Sequence, residues 1–255
     1  MPASLLISDL GEGVRALTVS NPTRRNAIDA GLLDALERAL ADDAGVRAWL
    51  VRGEGEGVFS SGYDLTALNG FPEGTPLPDE RLGEVLDHLT RHPAPSVALV
   101  LGAAVGAGCE LATACDFRVG SAAARFVMPP AKLGVVYALK GLARLRARVG
   151  EQVARRMFLV GRPLEAADAC TFGLLDELAE DAPAAALALC RELAANAPLA
   201  VRGMKAGLTL LDEVALPESS RASYEALRRQ SFNSADAREG RDALLERRAP
   251  RFSGR

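Results

Sequence analysis

A continuous apolar run at residues 96–101 passes directly into Gly102-Ala103-Ala104-Val105-Gly106-Ala107-Gly108-Cys109-Glu110-Leu111. This junction restricts the fold more than any other stretch. An unbroken apolar strand must be covered on both faces, which calls for a parallel sheet packed under helices. The residues that follow predict a helix over 106–114, opening in a glycine-bearing turn. Gly106 and Gly108 leave the backbone bare, so another group approaches it closely. The first amides of a helix lack internal partners and carry partial positive charge, which makes them donors to an oxyanion. Glu110 follows Ala107 by three residues and shares its helix face. A carboxylate beside such donors suits proton abstraction next to a carbonyl. On spacing alone, tight helix–strand packing accounts for the glycines better than ligand binding does. Glu110 tilts the balance, because Gly108, Cys109, Leu111, Ala112 and Ala114 make no solvated face around it. Glutamate is rarely buried without a partner or a task, and apolar surroundings raise its pKa toward that of a general base or acid.

The first two-thirds of the chain mixes strands and helices. Strands are expected at 5–9 and 15–20 around a Gly11-Glu12-Gly13 turn, and at 48–51, 96–101, 117–119 and 125–128. Leucines at three- and four-residue steps predict helices over 29–43 and 79–92. From residue 139 the pattern turns helical, with helices expected over 151–159, 164–169, 183–197, 199–211 and 217–231, and a strand within 174–178. This reads as a core over 1–195 and a helical region over 196–255, with a strand–strand–helix rhythm in the core. A second segment, Phe59-Ser60-Ser61-Gly62-Tyr63-Asp64-Leu65, carries a turn at Gly62 that exposes the Tyr63 amide as a further donor. Taken alone, such a turn is a common surface feature and Tyr63 a packed ring.

A chain of 255 residues is long enough to bury a sizeable core. Its formal net charge of −3 provides no basic field for nucleic acid. The cysteines Cys109, Cys115, Cys170 and Cys190 form no C-x-x-C pair, and the histidines are His88 and His92, so no metal site is expected. The cysteines read as reduced core residues of a cytoplasmic protein. No signal peptide or membrane helix is expected.

Taken together, the two glycine segments resemble the signature regions of the crotonase (enoyl-CoA hydratase/isomerase) superfamily. So do Asn21-Pro22 with Arg25-Asn26-Ala27-Ile28, the stretch from Gly150 to Gly173-Leu174, and Phe232 to Gly240 with Glu246-Arg247-Arg248. The resemblance covers nearly the whole chain. It implies an α/β fold in which strand–strand–helix units wind into a spiral, followed by a C-terminal helical region that assembles trimers or hexamers. It implies no cofactor beyond a coenzyme A thioester as substrate, and an oxyanion hole made by the Tyr63 and Ala107 amides. Coenzyme A contacts are implied at Arg24, Arg25, Ala27, Ser61, Asp64 and Leu65, and at Phe232 and Arg247 across a subunit interface. The plain alternative for these arginines is surface solubility.

Hydratases of this superfamily hold water with two glutamates. Glu110 matches the first, and the second aligns with Pro130, which has no ionisable side chain. The stretch from Met128 to Gly141 resembles the decarboxylase branch, where a tyrosine at the position of Tyr137 faces the acyl group; a packed aromatic is the equal alternative. That branch commonly has histidine where this chain has Tyr63. The expected activity is therefore a lyase or isomerase acting through a thioester enolate, with Glu110 as acid/base. A methylmalonyl-CoA-type decarboxylase and a non-catalytic acyl-CoA binder are the alternatives. Residues 65–83 and 135–142 are expected to wall the acyl pocket.

Overall fold

The computed structural model describes residues 3–42, 44–64, 76–211 and 218–251. Strands alternate between two sheets. β1 (Ser4–Asp9), β2 (Val14–Ser20), β3 (Ala48–Gly53), β5 (Ser96–Val100), β7 (Phe117–Gly120) and β10 (Glu177–Leu178) form a six-stranded sheet, in that spatial order. β4 (Val58–Ser60), β6 (Ala103–Val105), β8 (Arg125–Val127) and β9 (Leu164–Glu165) form the other. The large sheet is parallel apart from the β1–β2 hairpin, and the small one is parallel apart from β8–β9. The chain runs β3–β4–α2 (Pro78–Arg91), then β5–β6–α3 (Ala107–Ala114), then β7–β8–α4 (Pro130–Leu133). Each repeat enters the large sheet, crosses to the small one and returns through a helix, which is the expected spiral.

Both faces of the large sheet are covered, as a parallel sheet requires. Leu17, Val19, Trp49, Val51, Ala98 and Val100 pack with Leu32, Leu33 and Leu36 of α1 (Ala30–Ala41) and with Leu82, Val85, Leu86 and Leu89 of α2. Ala16, Leu50, Val97, Leu99 and Val119 alternate with them and pack under Ala182, Ala186 and Cys190 of α7 (Ala182–Ala195). Asp29 starts α1 by accepting the Leu32 amide at 2.8 Å, an ordinary N-cap.

Several expectations need correction. The three-residue strands β4 and β6 are not among the expected strands, since three residues carry no readable periodicity. The helix expected over 151–159 is the end of a longer one, α5 (Leu139–Arg155), which bends at Gly150 (φ 73°) and continues as a π-type turn, Arg156–Val160. The helix expected over 164–169 begins as β9, with α6 (Ala166–Thr171) behind it. Cys109, Cys115 and Cys190 are buried, but Cys170 is exposed, because α6 turns Ala166 and Ala169 inward and leaves Cys170 outside. After α8 (Pro198–Leu211) and α9 (Glu218–Phe232) comes an unexpected helix, α10 (Ala235–Leu245), capped by Ser234. No single described helix is long and apolar enough to cross a membrane.

Buried charges tie the late elements to the core. Lys205 of α8 reaches Asp116 at 2.7 Å and the Ala94 carbonyl at 3.2 Å. Arg118 of β7, 1% exposed, donates to the carbonyls of Leu174, Cys115 and Asp116 and, at 2.7 Å, to the Asp176 carboxylate. Arg118→Met strands those acceptors, so we expect a loss of about 3 kcal/mol in unfolding free energy by urea titration. An unchanged denaturation midpoint would show that water replaces the guanidinium without penalty.

Candidate functional site

The two glycine segments meet side by side. β4 pairs with β6, bringing Ser60 opposite Ala104, and α3 starts where β6 ends. Gly108 sits where a Cβ would lie 2.6 Å from the Ser60 Cβ and 2.8 Å from its carbonyl oxygen, so the first turn of α3 touches β4 only because Gly108 lacks a side chain. Gly62 comes close as well, since a Cβ there would lie 3.6 Å from the Ala107 nitrogen. Asn26 fixes this arrangement from behind. Its side-chain nitrogen donates to the carbonyls of Glu54 (2.9 Å) and Val58 (3.0 Å), and its own carbonyl accepts from the Ser60 hydroxyl at 2.7 Å.

The amide directions follow from these pairings. The Gly62 carbonyl accepts from Ile28 N–H at 2.8 Å, and Asp64 N–H donates to the Ile28 carbonyl at 2.9 Å. Peptide groups alternate in direction along extended chain, so the Tyr63 N–H turns to the opposite side. Ala107 is the first residue of α3, so its N–H has no partner within the helix.

Glu110 lies in the first turn of α3 and is 4% exposed. Its Oε2 accepts from the Tyr137 hydroxyl at 2.5 Å, and its Oε1 accepts from Arg144 Nη1 at 2.6 Å. Burial pushes Glu110 above the usual carboxylate range, while the Arg144 charge and the Tyr137 hydrogen bond pull it back. Burial also lifts the Tyr137 phenol well above its ordinary value, and the Glu110 charge lifts it further, so Tyr137 stays protonated. Of the two readings the sequence left open for Tyr137, the packed aromatic is visible directly. Its ring packs against Phe158 at 5.7 Å between centroids, and its hydroxyl points at Glu110. Pro130 starts α4 and is buried.

The loop carrying Tyr137 is held on both sides. Val136 N–H donates to the Ser231 hydroxyl at 2.7 Å, and Ala138 N–H donates to Asp79 Oδ2 at 3.0 Å. Asp79 is itself buried and paired with Arg228 of α9. Arg144 and Asp79 were not singled out from the sequence. Arg144 had a local signal, since it lies four residues after Lys140 and three after Gly141 on one face of a helix, although that helix was placed too late in the chain. Asp79 had none, because its partner lies 149 residues away.

Arg24, Arg25, Ala27, Ser61 and Asp64 form one corner. Ser61 N–H donates to the Arg25 carbonyl at 3.0 Å, its hydroxyl donates to the Arg24 carbonyl at 2.9 Å, and Arg24 pairs with Asp64. Ala27 is buried beneath them. Leu65, and with it 65–75 of the expected pocket wall, lies outside the described residues. Phe232 ends α9, and Arg247 follows α10 in a left-handed conformation (φ 56°). These two belong to the C-terminal helices, where α10 packs on α4 through the contact of Gly240 with Leu133. Replacing Gly108 by alanine should strain the β4–α3 contact and lower stability by about 1 to 3 kcal/mol in urea unfolding. Wild-type stability in that variant would mean the two segments separate freely.

The family described as enoyl-CoA hydratase/isomerase matches residues 9–255. A probable enoyl-CoA hydratase of Bacillus subtilis is 34% identical over 250 residues, 94% of this chain and 95% of that protein. A solved methylmalonyl-CoA decarboxylase in complex with 2-nitronate-propionyl-CoA superposes with a TM-score of 0.90 at 26% identity, covering 98% of each chain. An enoyl-CoA hydratase/isomerase of Pseudoalteromonas atlantica gives a TM-score of 0.82 at 27% identity, covering 98% of this chain and all of that one. With a match over nearly its full length and relatives this similar, the chain belongs to the enoyl-CoA hydratase/isomerase family and is an enzyme of that family.

Proposed function

We propose that this enzyme binds an acyl-coenzyme A thioester and moves a proton at its α-carbon, holding the intermediate as an enolate. The single observation that carries this reading is the placement of the buried Glu110 carboxylate one helical turn from the Ala107 amide. In this reading the Tyr63 and Ala107 N–H groups receive the thioester oxygen. The Cα–H bond breaks, its electron pair enters the enolate, the negative charge settles on that oxygen, and Glu110 takes the proton. Coenzyme A lies along the corner of Arg24, Arg25, Ala27, Ser61, Asp64 and Leu65. Phe232 and Arg247 contribute from a neighbouring subunit of a trimer or hexamer.

A second reading, decarboxylation, is favoured by the Tyr137–Glu110 hydrogen bond and by Pro130 at the place where a hydratase has its second glutamate. The bond from Cα to a substrate carboxylate then breaks, carbon dioxide leaves, and the enolate carbon receives a proton from Glu110. The solved decarboxylase with 2-nitronate-propionyl-CoA supports this alternative by analogy. Turnover of crotonyl-CoA and methylmalonyl-CoA by the purified enzyme separates the two. Conversion of methylmalonyl-CoA without hydration of crotonyl-CoA selects decarboxylation, and rapid hydration rules out our emphasis on Pro130.

Under either reading, Glu110→Gln should lower turnover at least about 100-fold, and full activity on every thioester that the wild type converts would sink the assignment. The pH profile carries a further expectation. Because burial raises Glu110, its ionised form is present only above a midpoint higher than the ordinary value of about 4.3. If Glu110 acts as a base, kcat should therefore rise with pH through that displaced midpoint. Tyr137, held protonated, should add no alkaline limb below pH of about 10.

A further inference from the structure

Glu110 presents two oxygens, and the structure treats them differently. Oε1 is held by Arg144 Nη1 at 2.6 Å. Arg144 is itself fixed by a second ion pair, from its Nη2 to Asp87 Oδ1 at 3.0 Å, and the other oxygen of Asp87 pairs with Lys140. Arg144 and Lys140 are successive turns of α5, while Asp87 comes from α2. The chain of charges thus runs from solvent-facing Lys140 through half-buried Asp87 and Arg144 to buried Glu110. Its two ends differ in freedom, because the Lys140 side chain is 61% exposed and Arg144 only 12%. A guanidinium tied through one nitrogen to Asp87 and through the other to Oε1 fixes the place of that oxygen, and the Tyr137 bond to Oε2 then fixes the rotation of the carboxylate.

We propose that Arg144 is a positioning residue that locks Oε1 of Glu110 and so dedicates Oε2, beside the Tyr137 hydroxyl, to proton transfer, with Asp87 holding Arg144 in register. This rests on the reading of Glu110 as the acid/base. Among the described residues, the charged and titratable groups facing Glu110 are Arg144 of α5, Tyr137 of the preceding loop, Asp79 at the start of α2 and the neighbouring Cys109 of α3, with Asp87 acting through Arg144. β4 and β6, which also pack on α3, bring none.

The test compares wild type with Arg144→Met, Arg144→Lys and Asp87→Asn. In Arg144→Met the Glu110 carboxyl should protonate about 1 to 3 pH units higher, read from its infrared carbonyl band in the resting protein, with Glu110→Gln identifying the band. The acid limb of the kcat profile should move by the same amount. At its plateau kcat should fall about 100-fold, with KM changed less than threefold. Arg144→Lys restores the charge without the fork, so the infrared midpoint should return most of the way while kcat recovers only in part. Asp87→Asn leaves Arg144 charged but loosely held, and should lower kcat without moving the midpoint. An unmoved infrared midpoint in folded Arg144→Met, full recovery of kcat in Arg144→Lys, or kcat untouched while KM rises, overturns the proposal. The infrared titration needs no turnover, so a shifted midpoint in an enzyme that converts no thioester leaves Arg144 in place and refutes the acid/base reading instead.

Discussion

A carboxylate removed from water has to be compensated, and the compensation of Glu110 organises much of this molecule. Bare burial would leave a neutral acid or a strongly destabilised anion. The Arg144 guanidinium and the Tyr137 hydroxyl supply the missing partners. Each partner imposes its own demands. Arg144 requires α5 to pass close to α3, and Gly141 permits this, because a Cβ there would lie 2.5 Å from the Tyr137 ring and 3.0 Å from Glu110 Oε1. Tyr137 requires a loop held in place at Val136 and Ala138, which brings in α2 and α9.

The parts of the fold that were readable in the sequence are those in which burial repeats. The leucines of α1 and α2 mark one face at helical spacing, and the unbroken apolar run of β5 marks a strand covered on both sides. The three-residue strands β4 and β6 were not readable, since no period shows in three residues. They exist because the spiral stacks them against one another, which is a tertiary cause. α5 was misplaced because Gly150 interrupts it with a positive φ where a break in the pattern is expected.

The site was legible to the extent that its chemistry is local. Gly106, Ala107, Gly108 and Glu110 are adjacent in the chain, and helix geometry alone relates them. Tyr137 was found through its setting in a family-like stretch, with its orientation open until its hydroxyl was seen on Glu110. Arg144 and Asp79 act through partners 34 and 59 residues away, so helix spacing marks the face that carries Arg144 but identifies neither partner.

The pairing of Asp79 with Arg228 spans 149 residues and joins the first half of the chain to its last helices. The two glycine segments and Glu110 are all made before residue 111. The bracket around Tyr137 must wait for α9. A chain emerging from the ribosome therefore carries Glu110 long before Arg228 and Ser231, which brace the Tyr137 loop, have been made. A nascent chain that ends before Arg228 holds every residue of the two glycine segments but lacks the braces of the tyrosine that donates to Glu110.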